Sequence, residues 1–211
     1  MSVENLQPVS PIRPEPWNKG RLIGQKLPLK PKDVWSIRVQ LQLLGSKRDL
    51  ALFNLAIDSK LRGCDLVTMK VRDVCIGGRV RERTTIVQRK TSRPVQFEIT
   101  EQTRTAISQW LDKLQAPADG YLFTSRISAS SHLSTRQYAR IVENWVESAG
   151  LDSTGYGTHS MRRTKAAQIY RKTGNLRAVQ LLLGQTKLES TVRYLGIEVE
   201  DALTISEQVE L

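Results

Sequence analysis

The sequence is poor in the residues that build disulfides and metal sites. Its 211 residues include only two cysteines and two histidines. Cys64 and Cys75 stand alone, too far apart in the chain to supply the clustered ligands of a zinc site. The N-terminal stretch MSVENLQPVSPIRPEPW lacks the apolar core of a secretory signal, so we expect reduced thiols rather than a disulfide. The sequence therefore predicts neither a bound metal nor a disulfide framework.

Long apolar runs and acidic side chains are also scarce. No run approaches the roughly 20 apolar residues that a helix needs to cross a bilayer, so we expect a soluble cytoplasmic protein without membrane contact. Lysine and arginine number 32 against 21 aspartate and glutamate, a formal net charge of +11. An excess of this size indicates a polyanionic partner such as DNA, RNA or an acidic membrane surface. A basic surface without such a partner is the plainer alternative.

The charge is distributed unevenly along the chain. Residues 1–40 hold seven basic and three acidic side chains, whereas residues 196–211 hold five acids and no base. Most of the positive charge therefore belongs to the body of the protein, and the tail opposes it.

Proline content separates an N-terminal arm from one folded domain. Six of the eight prolines lie within residues 1–31, which predicts an extended basic arm. Residues 32–211 are enough for one ordinary core. Apolar spacing in this region predicts a series of helices, near residues 33–44, 50–61, 101–115, 134–149, 158–173, 175–184 and 187–195, with a last helix in the tail from about 197.

Residues 74–99 follow a different pattern, with tight-turn signals near 77–78 and 90–94 between short β-prone stretches. They predict one small antiparallel sheet. Asp33, Ser134 and Asn175 are the expected N-caps of three helices. The fold class is therefore expected to be mainly α with a small antiparallel β-sheet (α+β).

One set of side chains could surround a phosphate. Arg62 follows the second helix, Lys90 lies at a predicted turn, and Tyr194 lies near the end of the body. His159 and Arg162 are three residues apart at the start of a helix and so share a face. Arginine grips phosphate oxygens, lysine can protonate a leaving oxygen, and tyrosine can attack phosphorus. Each residue alone also fits an ordinary structural role, so the interpretation depends on their order and spacing together.

Three stretches resemble the sequence boxes of the tyrosine recombinases, also called phage-type integrases. LRGCDLVTMKVRDV (61–74) resembles the first arginine box, and HSMRRT (159–164) resembles the His-x-x-Arg box. LLLGQTKLESTVRYLG (181–196) is similar to the third box, a Leu-Gly pair followed by the nucleophilic tyrosine. The resemblance covers about residues 33–205 and implies a tyrosine recombinase-like catalytic domain over residues 32–211.

The resemblance implies a role for each of the five residues. Tyr194 would attack the scissile phosphate and form a 3′-phosphotyrosine link, while Arg62 and Arg162 would hold the non-bridging oxygens. Lys90 would protonate the departing 5′-oxygen, and His159 would bind the phosphate and help to take the tyrosine proton. Such a reaction implies double-stranded DNA as partner and needs neither a metal nor a nucleotide cofactor.

The chain departs from the family pattern in two ways. Gln185 stands where the family usually has histidine or sometimes tryptophan; it can still donate a neutral hydrogen bond to phosphate. The arm is too short for the N-terminal DNA clamp that members commonly carry, so the arm itself or a partner protein would have to replace it. The family resemblance also implies a tetramer on DNA. The C-terminal tail would then dock on a neighbouring protomer, or alternatively cover its own core.

The leading hypothesis is a site-specific DNA recombinase, encoded by a bacterium or a mobile element. One alternative is a catalytically weak or inactive DNA-binding regulator or recombination accessory with the same fold. Another is topoisomerase-like relaxation of a single duplex by the same chemistry. An intact Tyr194 favours catalysis, because a protein that only binds DNA does not need the nucleophile.

Overall fold

A computed structural model describes residues 25–125 and 132–196, together with Glu207 in the tail. These residues form a mainly helical body with two small antiparallel hairpins, which confirms the expected fold class. The helices are α1 (Pro31–Leu43), α2 (Lys47–Ser59), α3 (Gly63–Val67), α4 (Val71–Val74), α5 (Glu101–Leu114), α6 (Thr135–Ser148), α7 (Thr158–Thr173), α8 (Leu176–Leu183) and α9 (Leu188–Leu195). The strands are β1 (Cys75–Ile76), β2 (Arg79–Val80), β3 (Arg83–Val87) and β4 (Pro94–Glu98).

Helix α2 is the centre of the core. Every residue from Leu50 to Ser59 is buried, because α1, α5 and α7 all pack around this helix. Phe53 on α2 meets Trp145 on α6 edge to face, with ring centroids 5.3 Å apart. A smaller apolar cluster joins α7, α8 and α9 beside this core. Burying one helix on all sides places both of its ends at fixed positions in the domain.

Local sequence signals place the starts of α6 and α8. Ser134 caps α6, as expected: its Oγ accepts from Gln137 N at 3.1 Å, while Gln137 Oε1 accepts from Ser134 N at 2.9 Å. Asn175 likewise caps α8 by accepting from Ala178 N. The expected N-cap at Asp33 is wrong. Asp33 lies inside the first turn of α1 and accepts from the backbone N of Lys30, which is the true N-cap, because Pro31 starts the helix earlier.

The β region forms two separate hairpins rather than the single predicted sheet. Strands β1 and β2 pair around Gly77 and Gly78, whose positive φ angles of 56° and 77° suit a tight turn. Strands β3 and β4 pair over five positions, from Arg83↔Glu98 to Val87↔Pro94. The loop after β3 carries the predicted lysine. The short helices α3 and α4 were not predicted, because four or five residues show no helical period.

Residues 25–30, which the proline pattern assigned to the arm, lie against the domain. Leu27 N donates to Gly155 O at 2.9 Å, and Leu29 N donates to Thr164 Oγ1 at 3.0 Å. Leu29 is buried in the main core. We call residues 25–30 the strap. The rest of the predicted arm, residues 1–24, and the predicted tail helix from about 197 lie outside the described residues.

Candidate active site

Arg62 is placed by the end of the central helix. Helix α2 stops at Lys60, which has a left-handed backbone (φ 54°), and Arg62 then precedes the first residue of α3. The chain passes close to α6 here, since a Cβ added at Gly63 would lie 3.2 Å from the Tyr138 ring. Glycine therefore allows the chain after Arg62 to lie against a buried ring.

His159 and Arg162 lie in the first turns of α7 and share a pocket with Arg62. The pocket has a volume of about 230 Å³ and is lined by Leu61, Arg62, Gly63, Cys64, Thr135, Tyr138, Thr158, His159 and Arg162. His159 keeps an exposed edge, whereas Arg162 is buried. The structure thus brings together two of the predicted cations and the histidine, although Arg62 lies about 100 positions before His159 and Arg162 in the sequence.

Only one of the two terminal nitrogens of Arg162 donates a hydrogen bond to the described residues. Its Nη2 donates to the backbone carbonyl of Leu183 at 2.8 Å, while its Nη1 is buried without a hydrogen-bond partner among the described residues. A buried cationic donor without a partner is costly. The guanidinium, which also lies against Tyr194, keeps this donor available for an anion that enters the site.

The ring of Tyr194 lies over two arginines of α7, Arg162 and Arg163. The Cζ atoms of Arg162 and Arg163 lie 5.8 Å and 4.8 Å from its ring centroid. Its Oη is buried and makes no hydrogen bond of regular geometry within the described part of the chain, but it lies close enough to the Arg162 guanidinium for that contact to oppose the rise in its pKa. Burial raises the pKa of Tyr194, and the charges of Arg162 and Arg163 only partly oppose this rise. The hydroxyl is therefore protonated and shielded from water in this conformation.

Lys90 lies on the exposed loop between β3 and β4. The backbone of this loop is fixed at its base, because Arg89 N donates to the buried carboxylate of Asp65 at 2.9 Å. Of the charges that lower the pKa of His159, that of Lys90 is the smallest named, after Arg162, Arg163 and Arg62.

Gln185 follows a turn whose geometry leaves no room for a side chain at Gly184. A Cβ there would lie 2.4 Å from Val95 Cγ2, and the φ of +63° also favours glycine. Gln185 Oε1 accepts from Thr191 Oγ1 at 2.7 Å, which ties the turn to the helix that carries Tyr194. Gln185 thus lies beside the nucleophile helix.

Two further cations of α7, Lys165 and Arg163, point inward. Lys165 Nζ lies 2.8 Å from Asp58 Oδ1 and 2.5 Å from Glu98 Oε1. Arg163 is buried and donates to the backbone carbonyl of Lys26 in the strap. Both side chains project from α7 toward other parts of the fold, because their partners lie on the elements that pack against this helix.

Sequence reasoning missed Gln88 and Arg163, and it gave no role to Asp65. Gln88 is fully buried and accepts from Arg62 Nη1 at 2.6 Å. A local signal for Gln88 was absent, because its partners Arg62 and Leu183 lie 26 and 95 positions away in the chain. For Arg163 there was no such signal either, because its partner is a backbone carbonyl 137 residues away.

Within the described ranges, no helix is long and apolar enough to span a membrane. The same residues contain no group of three or more His, Cys, Asp or Glu side chains arranged to hold a metal ion. Of the predicted site residues, Arg62, His159 and Arg162 line the pocket. Tyr194 lies against Arg162 but is not among the lining residues, and Lys90 lies on the loop between β3 and β4. The resemblance to the tyrosine recombinases predicted this combination of side chains in a mainly helical domain.

Comparison with known proteins gives the same class. Residues 31–200 match the phage integrase family. The probable integrase/recombinase YoeC of Bacillus subtilis is 28% identical over 159 residues, covering 75% of this chain and 83% of that protein. Tyrosine recombinase XerC of Shewanella amazonensis is 33% identical over 156 residues, covering 72% of this chain and 50% of that protein. The chain belongs to the phage integrase family.

Solved structures match the fold as well. The crystal structure of XerA recombinase has a TM-score of 0.71 at 19% identity, covering 88% of this chain and 65% of that chain. XerH site-specific recombinase bound to its difH substrate has a TM-score of 0.69 at 21% identity, covering 87% and 54%. The chain spans about half the length of the XerC relatives it matches.

Proposed function

We propose that this protein is a site-specific DNA recombinase that cleaves and rejoins DNA through a 3′-phosphotyrosine intermediate. The observation that carries the proposal is the position of Tyr194 over Arg162, whose Nη1 is buried and unpartnered beside a pocket lined by Arg62 and His159. Family membership supports the same chemistry. The structural relative XerH was solved bound to its difH substrate, and the Tn1549 transposon integrase was solved in complex with transposon right end DNA.

The reaction divides among the site residues as two balanced steps. Tyr194 Oη forms a bond to the scissile phosphorus, and the bond from phosphorus to the 5′-oxygen breaks. Lys90 supplies the proton that the 5′-oxygen needs, while His159 accepts the tyrosine proton. Rejoining is the reverse attack by a 5′-hydroxyl. Because Oη is buried here, helix α9 must shift when DNA brings a phosphate to the pocket.

The two arginines hold the phosphate as negative charge builds in the transition state. Arg162 offers its free Nη1, and Arg62 keeps further guanidinium N–H groups beyond its bond to Gln88. Charged donors that are already in place need little reorganisation at the moment of reaction. Gln185 adds a neutral hydrogen bond where most family members would supply a histidine.

The proposed assembly is a tetramer acting on two duplexes. The acidic tail after residue 196 would dock on a neighbouring basic protomer, since its charge suits a protein groove better than DNA. Residues 1–24 or a partner protein would add contacts to the DNA beyond those of the folded body. As the curated relatives are bacterial proteins, the cytoplasm is the proposed location.

The decisive experiment is covalent capture on nicked DNA. The protein is incubated with candidate site DNA that carries a nick just downstream of the cleavage position. The short fragment with the new 5′-hydroxyl then diffuses away, and the 3′-phosphotyrosine adduct is trapped. The parent should form a covalent adduct mapped to Tyr194, while Tyr194→Phe should bind the same DNA without forming one. Tyr170→Phe is the matched control and should react normally. An adduct that persists in Tyr194→Phe would contradict the assignment.

A further inference from the structure

Gln88 is a buried amide that touches three parts of the site at once. It lies directly after β3 and is completely buried. Its Oε1 accepts from Arg62 Nη1 at 2.6 Å and from Thr91 Oγ1 at 2.9 Å. Its Nε2 donates to the backbone carbonyl of Leu183 at 3.4 Å. One side chain thereby joins the first arginine, the loop of Lys90 and the end of α8.

The Leu183 carbonyl extends this connection to the second arginine. It accepts from Gln88 Nε2 and also from Arg162 Nη2, the latter at 2.8 Å. The two arginines are therefore held through one amide and one carbonyl. Leu183 is also the last residue of α8, immediately before the turn that carries Gln185.

The backbone of Gln88 closes the loop that carries Lys90. Gln88 N donates to Arg93 O and Ser92 N donates to Gln88 O, both at 2.8 Å. Thr91 adds the side-chain bond to the amide described above. The position of Lys90 thus depends on the same residue that orients Arg62.

We propose that Gln88 is a positioning residue that sets Arg62, Arg162 and the Lys90 loop in one fixed arrangement. The inference rests on the proposed function, since these groups are the ones that would act on the phosphate. A neutral amide suits this role, because its oxygen orients Arg62 without cancelling the charge meant for the phosphate and its N–H₂ group can bond a carbonyl. A carboxylate would orient Arg62 but offset its charge, and an apolar side chain would neither orient the arginine nor bond the carbonyl.

Gln88→Met tests the arrangement, because methionine has a similar length and volume but lacks both the acceptor and the donor. A displacement of about 1 Å at a reacting group can cost about 100-fold in rate. We therefore expect the single-turnover cleavage rate to fall at least about 10-fold, with little change in the DNA concentration that gives half-maximal rate. Gln96→Met on β4, where the glutamine is exposed, is the matched control and should react like the parent.

The link from Gln88 to the arginines and its link to the Lys90 loop can be tested separately by changing the leaving group. A 5′-bridging sulfur leaves as a thiolate and needs no proton, so it bypasses the lysine. Thr91→Val, which cuts only the link to the loop, should be slow on the normal substrate and regain the parental rate on the sulfur substrate. Gln88→Met should stay slower than the parent on both, because Arg62 is still displaced. Full recovery of Gln88→Met on sulfur would overturn the link to the arginines.

A readout without any reaction keeps this inference distinct from the proposed function. Rotation of the Arg62 guanidinium, measured by NMR on ¹⁵N-labelled arginine, should be slow in the parent and fast in Gln88→Met. Gln88→Glu guards against a folding defect: it should keep Arg62 restrained yet still cleave more slowly. If the parent forms no adduct on any site, the proposed function fails and the NMR result alone decides the role of Gln88. The positioning role of Gln88 would be overturned if Arg62 rotated as slowly in Gln88→Met as in the parent. It would also be overturned if Gln88→Met and Gln88→Glu both cleaved at the parental rate.

Discussion

His159 stands among cations at the mouth of the pocket, and this sets its protonation. Partial burial lowers its pKa first, and the surrounding charges lower it further: Arg162, Arg163, Arg62 and Lys90. Its pKa therefore lies below the ordinary value of about 6.5. At neutral pH the ring is uncharged and can accept the tyrosine proton, as the proposed reaction requires.

The lowered pKa of His159 predicts how the rate of adduct formation falls at low pH. The apparent second-order rate constant for adduct formation should rise with pH through a pKa below 6.5 and then level off, because this constant reports the free protein. His159→Gln should be slower and should lose that limb. Protonation of His159 also opposes folding as pH falls below about 6.5, so rates must be compared per folded molecule. A limb that persists in His159→Gln would assign it to another group.

Gln185 is the departure from the family pattern, and its bond to Thr191 allows a controlled test. If Gln185 donates to the phosphate, Gln185→Ala should lower the cleavage rate and Gln185→His should keep or raise it, since charged hydrogen bonds are about twice as strong as neutral ones. Thr191→Val is the control, because it removes the same side-chain bond but leaves the amide in place. If Gln185→Ala and Thr191→Val lose melting temperature equally and keep the parental rate per folded molecule, Gln185 has no part in the chemistry.

At the scale of elements, a buried ionic network fixes α7 against α2 and β4. Asp58 accepts from Lys165 Nζ at 2.8 Å on one oxygen and from Thr100 and Thr103 on the other. Glu98 Oε1 lies 2.5 Å from Lys165 and 3.3 Å from the buried Lys60. Burial alone would raise the pKa of Asp58, but its hydrogen bonds, that from Lys165 first, outweigh burial and lower it.

Removing Asp58 should therefore destabilise the whole domain. Asp58→Ala leaves Lys165 facing a desolvated site with one partner fewer, a change that typically costs about 3–5 kcal/mol. Thr103→Val removes a single hydrogen bond and should cost only about 1 kcal/mol. Urea unfolding measures both. Because the pKa of Asp58 is lowered, its contribution is present near neutral pH and is lost as pH falls through the folded pKa. A loss in Asp58→Ala no larger than that in Thr103→Val would argue against the network.

At the scale of the whole molecule, the positive charge belongs mainly to the folded body. Residues 1–24 hold three basic side chains (Arg13, Lys19 and Arg21) and two acidic ones. Lys26 is already tied to the body, where its Nζ donates to Thr154 O at 2.5 Å. The arm can therefore contribute at most a few phosphate contacts.

Deleting residues 1–24 tests whether the arm contacts DNA. Each phosphate contact contributes about 0.9 to the slope of log affinity against log salt. If the arm grips DNA through its three basic side chains, the deletion should weaken binding and reduce the slope by up to about 3. Replacing only those three by glutamine in the full chain should give the same reduction. An unchanged slope would show that residues 1–24 make no phosphate contacts, and a role in contacting a partner protein would then be the alternative.

The sequence by itself determined the elements whose signals are local. The helical period and the Ser134 and Asn175 caps located α6 and α8 to within about two residues, because capping and periodicity involve neighbours no more than four positions apart. The three boxes and their spacing also determined the family, now shown by the match over residues 31–200. The roles of the six candidate residues remain predictions.

Only the tertiary structure decided how the site is held together. Lys165 meets Asp58 across 107 positions, Arg163 meets Lys26 across 137, and Gln88 meets Leu183 across 95. No local rule specifies these pairs, because the direction of a side chain is set by whichever elements pack against it. The same holds for Tyr194 Oη, whose burial follows from the seating of α9 over the arginines rather than from any neighbour in the chain.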